Sequence, residues 1–187
     1  MLNNSVNIKD KGFIEAVIRK NKEYTMAGFF SRRKKVIQPP KNNIDKIQSS
    51  LDKVMFHLFK GMHIANMADM DSSTIKNFAL SKYEIEEAKI HLRHTETLWK
   101  DGESVISELN RTLNGANNLI QNAENWANFL NSASFDLDKA DTRSKYQHFV
   151  KINRKYAAIV DKDLNSAYNM FESINGIELK LYDEEDF

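Results

Sequence analysis

Apolar or small residues recur at alternating three- and four-residue spacing without a missed step through Ile85, Ala88, Leu92, Thr95, Trp99, Gly102, Ile106, Leu109, Leu113, Ala116, Ile120, Ala123, Ala127 and Leu130. This period draws one stripe along an α-helix and is incompatible with a half-buried strand, whose side chains alternate every two residues. A strict heptad over six repeats points to coiled-coil-like packing, in which the small residues let a neighbouring helix approach closely. Two flanking series carry the same spacing. Ile44, Ile47, Leu51, Val54, Leu58, Ala65 and Ala68 follow the double proline Pro39-Pro40, and "DMDSST" near Asp69 supplies turn and N-cap residues that end the run. Tyr146, Val150, Asn153, Ala157, Val160, Leu164, Ala167, Phe171 and Ile174 follow the polar stretch "NSASFDLDKADT", with Asn175-Gly176 as the expected C-cap. The predicted fold is all-α, an elongated antiparallel helical bundle or coiled coil.

The number of helices turns on Asp101-Gly102. Asp-Gly is a common turn signal, and a turn there gives four helices in an up-down-up-down order. The heptad phase nevertheless runs unbroken from Trp99 through Gly102 to Ile106, and a mid-helix glycine costs only about 1 kcal/mol against alanine. On that balance the expected form has three long helices, the central one nearly 60 residues and roughly 85 Å long at 1.5 Å per residue. Such a rod buries too little alone, so self-association is expected through its stripe, at Leu92, Trp99, Ile106 and Leu113.

Charge divides the chain unevenly although its net charge is only +1. Residues 1–62 hold thirteen Lys/Arg against five Asp/Glu, whereas residues 63–138 hold six against twelve. The division predicts a basic, partly amphipathic N-terminal arm over 1–40, a helical bundle over 41–176 and an acidic C-terminal tail over 177–187. Within the arm, "GFFSRRKK" places Phe29 and Phe30 beside Arg32, Arg33, Lys34 and Lys35. Two aromatic rings next to four cations suit an anionic membrane, an acidic partner protein or the protein's own bundle, and nucleic-acid backbone less well. The tail "YDEEDF" is expected to be solvated, with docking through Phe187 as the alternative.

The residue types exclude some chemistry. With no cysteine there is neither a disulfide framework nor thiolate chemistry, and no segment approaches the apolar length of a membrane span. The expected location is soluble and cytoplasmic, with non-classical export through the polar first dozen residues as the alternative. Glu84, Glu87, His91 and His94 in "EIEEAKIHLRH" are spaced for metal binding, but they stand beside or away from the apolar stripe and lack the Glu-x-x-His pairing of bundle metal sites. They are expected to form an exposed, salt-bridged face with no metal bound. Arg143 and His148 have the Arg-x4-His spacing of helical ribonucleases, where an imidazole moves the proton and a guanidinium steadies the phosphate. The heptad sets these two on opposite sides of their helix. With no glycine-rich phosphate loop either, no cofactor or small-molecule substrate is expected.

The expected function is therefore that of a non-enzymatic helical interaction or scaffold protein, oligomeric, whose basic-aromatic arm docks to an acidic surface. The alternatives are an exported effector or component of a larger assembly, and a helical ribonuclease using Arg143 and His148.

Overall fold

In the computed structural model the described residues are 38–66, 74–132 and 139–187. Among them 85% are helical and no strand occurs. The described residues form four α-helices: α1 (Ile44–Asn66), α2 (Thr74–Leu98), α3 (Glu103–Leu130) and α4 (Ala140–Phe171). Each packs against the next in sequence, and one hydrophobic cluster joins all four to Ile174, Ile177 and Leu179 beyond α4.

The long helix expected through Gly102 is two helices. At Trp99 the backbone leaves the helical region (φ −136°, ψ 73°), and a 3-10 turn, Lys100–Gly102, redirects the chain into α3. Trp99 N still donates to Thr95 O at 2.9 Å, and Gly102 N donates to Trp99 O at 3.0 Å. The indole folds over Gly102 so closely that a Cβ built there would lie 2.5 Å from its ring. Glycine is required here for space, since its φ of −83° is open to any residue. The heptad survives because a single 3-10 step turns both Trp99 and Gly102 inward, and Ile106 follows one turn later. Periodicity reports which residues face the core; it does not report whether the helix axis is continuous.

Hydrogen bonds fix the direction of the pairs. Ser50 Oγ donates to His91 O at 2.8 Å and Ser81 Oγ to Gly61 O at 2.5 Å, so residue numbers rise along α1 as they fall along α2. In the second pair Asn122 Nδ2 donates to Asn153 Oδ1 at 2.6 Å and Trp126 stacks on Phe149 at 5.0 Å, again an antiparallel register. Lys82 and Glu124 form an ion pair between α2 and α3. At the start of α1, Asn43 Nδ2 donates to Leu98 O at 3.1 Å, which ties this end to the end of α2.

Residues 172–187 depart from the solvated tail. α4 ends at Phe171, earlier than the Asn175-Gly176 cap, and Gly176 at φ 78° turns the chain back along α1. Gln38 donates to Ser173 O and accepts from Asn175 N, both at 2.9 Å. Gln48 in the same way donates to Glu178 O and accepts from Glu178 N, both at 2.8 Å. Each side-chain amide thus stands in for a neighbouring strand, satisfying a backbone that has no ladder of its own. Further along, Phe56 meets both Tyr182 and Phe187 at 5.5 Å. The buried Phe59 lies 6.4 Å from Tyr182, so α1 has α2 on one flank and the C-terminal strap on the other.

Replacing Gly102 by alanine would ordinarily favour a helix by about 1 kcal/mol. Here the added methyl group meets the indole, and we expect a net destabilisation of about 1–3 kcal/mol. Equilibrium urea unfolding of Gly102→Ala measures it, and a stability equal to or above that of the parent would mean that the chain does not fold over at Trp99.

Candidate functional site

Carboxylates are seldom buried without partners, because transfer out of water costs several kcal/mol unless hydrogen bonds replace the lost hydration. Glu84 on α2 is only 3% exposed. Its two oxygens are both held from α1: His57 Nδ1 lies 2.6 Å from Oε2, and Lys60 Nζ lies 2.9 Å from Oε1. Burial alone would push the Glu84 pKa up, but the hydrogen bonds from Lys60 and His57 outweigh it, and the carboxyl lies below its ordinary value. The spacing that makes this clamp is three residues along α1, from His57 to Lys60, which presents both donors to one point on α2.

Two more groups adjoin the clamp. His57 stacks on His91, with ring centroids 5.5 Å apart and planes inclined by 15°. Burial, then the charges of Lys53 and His57, hold His91 below its ordinary pKa against the opposing pull of Glu87. Tyr83, on the outer side, donates to Glu87, and its own pKa is raised for that reason first.

The reading of "EIEEAKIHLRH" as an exposed, salt-bridged face is therefore corrected for Glu84. The heptad places that residue beside the stripe, but α1 covers the flank of the stripe as well as its centre. Glu87 is half-buried and His94 exposed. Among the described residues no group of three or more His, Asp or Glu is arranged to hold a metal ion. A carboxylate already held by two donors is a poor general base, and the His57 ring is covered on one side by His91, so the cluster reads as a polar clamp between α1 and α2.

The other expected positions separate widely. Leu92, Trp99, Ile106 and Leu113 lie within the hydrophobic cluster of the chain itself, so in this structure they form no outer surface for a second copy. Phe29, Phe30, Arg32, Arg33, Lys34 and Lys35 lie outside the described residues. Arg143 and His148 are both exposed. His148 lines a shallow cleft of about 380 Å³ with Trp126, Phe129 and Phe149, whereas Arg143 does not line it.

Sequence reasoning missed the outer face of α2. Leu80, Tyr83 and Ile90 are 47%, 57% and 47% exposed, although the same helix already buries Phe78, Ile85, Ala88 and Leu92. The available signal was that α2 carries apolar residues on both sides, outside the heptad as well as in it.

Compared with protein-family models, with curated proteins and with solved structures, the chain matches none. Among the described residues, no helix is long and apolar enough to cross a membrane.

The pKa directions set the acid response. A histidine held below its ordinary value of 6.5 takes up its proton more readily when unfolded, so stability falls as pH drops below that value. A carboxyl held below 4.5 adds a second loss as pH falls through the carboxylate range. Thermal unfolding measured against pH should show both stages, with His91→Gln flattening the first. Glu84→Gln should cost about 1–3 kcal/mol near neutral pH and flatten the second stage. A melting temperature that stays constant through both ranges would contradict the assignment.

Proposed function

We propose that this chain is a non-enzymatic helical interaction protein, an elongated antiparallel bundle that associates with a second copy of itself through the outer face of α2. The observation that carries the reading is the run of Leu80, Tyr83 and Ile90, about half exposed and spaced to lie on one helix face. A stripe of apolar side chains on a helix whose opposite side is already in the core is what a docking helix covers.

Magnitudes decide what else is needed. Three half-exposed apolar side chains contribute about 1 kcal/mol each on burial. Their sum falls well short of the roughly 8 kcal/mol that corresponds to micromolar affinity. The basic arm supplies the remainder in this reading. Arg32, Arg33, Lys34 and Lys35 of one copy meet the acidic residues 63–138 of the other, where twelve Asp/Glu stand against six Lys/Arg. Phe29 and Phe30 add apolar area beside the stripe. The arm and α2 act together, so association depends on salt.

Light scattering on the full chain during size-exclusion chromatography tests this. The parent is expected to associate at low salt and to dissociate as salt is raised, while Leu80→Ser/Tyr83→Ser/Ile90→Ser and a chain lacking residues 1–37 each remain monomeric. A monomeric parent at every salt concentration would overturn the reading. If that parent instead sedimented with anionic vesicles in an arm-dependent way, the arm would be a membrane anchor.

A further inference from the structure

A second surface joins the first two helices where α1 begins and α2 ends. Lys46, Ser49 and Lys53 follow at helical spacing along α1, and His91 and His94 stand three residues apart on α2. Together with Ser50 and Asp45 they line an open cleft of about 300 Å³. The bond from Ser50 Oγ to His91 O, at 2.8 Å, fixes the distance between the two rows.

The cleft holds more cationic than anionic capacity. Two lysines and two histidines face it, against the single carboxylate of Asp45. Among the described residues neither Lys46 nor Lys53 is in an ion pair. The hydroxyl of Ser49 adds a neutral donor at the rim. Cations in excess of their counter-charge raise the local potential, and a compact anion with several acceptor oxygens relieves it.

We propose that this cleft binds a phosphate group, held by Lys46 and Lys53 from α1 and by His91 and His94 from α2.

Protonation is coupled to that binding. The groups facing His91 are Asp45, Lys46, Lys53 and His57 from α1, with Glu87 and His94 from its own helix. Within the protein's own field, burial and the positive neighbours favour the neutral ring. A phosphate between Lys53 and His91 reverses the sign of the local field, and the ring takes up a proton as the anion enters. Affinity for the phosphate dianion therefore strengthens as pH falls through the histidine range. The same chemistry is offered by a free phosphate and by a phosphate in an anionic lipid headgroup.

Nuclear magnetic resonance of the histidine Cε1–H groups in the full chain reads the site directly. The probes are inorganic phosphate and pyrophosphate, and in a separate arm vesicles of phosphatidylcholine with and without phosphatidic acid, all at constant ionic strength. His91 and His94 should shift and saturate, with His63 and His148 as internal controls. Affinity for the phosphate dianion, with the anion's own protonation taken into account, should be about tenfold tighter near pH 6 than near pH 8, consistent with one coupled proton. Lys46→Ala/Lys53→Ala should weaken binding at least about tenfold while leaving the melting temperature unchanged. Saturation by the soluble anions identifies a free phosphate as the ligand, and a response to phosphatidic acid vesicles alone identifies a headgroup. Shifts that never saturate with any probe, that are shared equally by His148, or that persist in the double variant would overturn the proposal.

Discussion

The contact between the Trp99 indole and the bare backbone of Gly102 is what permits everything else in this fold. If the chain continued straight at Trp99, α3 would extend away from α2, and the Lys82–Glu124 ion pair could not form. The apolar residues of α3 and α4 would then lack the partners they have in the common cluster. The indole is 1% exposed and meets Phe171 at 6.5 Å, edge to face, so the turn between α2 and α3 is also where the end of α4 is received. One aromatic side chain fills the corner, and one missing Cβ makes room for it.

Most of the core was legible in the sequence, because burial in a helical protein follows a period that needs no knowledge of tertiary structure. Of the fourteen positions in the central series, all are buried or half-buried. What the period could not supply was the course of the axis at residues 99–102, since a short 3-10 step preserves phase. Nor could it assign Glu84, which lies just off the stripe and is buried only because α1 brings His57 and Lys60 to it. The outer face of α2 was hidden for the converse reason. A pattern that selects residues at positions 85, 88 and 92 passes over Leu80, Tyr83 and Ile90, and their exposure follows from the placement of neighbours.

α2 bears more of the molecule's chemistry than its length suggests. One side holds the core, a second holds a carboxylate neutralised by α1, and a third presents apolar groups outward. Its last turns add two imidazoles to a row of lysines. The buried clamp and the exposed stripe have different energetic characters. The clamp is specific and costly to break from one side, because a lone buried charge remains. The stripe is weakly attractive and indifferent to the identity of the covering side chains. A helix with both features is anchored in one register against α1 and still has a surface to offer.

The strap formed by residues 172–187 has a consequence for how the chain assembles. Gln48 and Glu178 are separated by 130 residues, as are Asp52 and Tyr182. The helical hairpins join residues far closer in sequence, and short-range closure is fast while long-range closure is slow. α1 can therefore collapse onto α2 early, yet the flank carrying Phe56 and Phe59 stays open until α4 has formed and the segment after it returns. On a ribosome that interval lasts for the synthesis of up to the 89 residues that follow α2. During it the nascent chain exposes an apolar surface that the finished molecule conceals, which is the condition under which chaperone binding and aggregation compete with folding.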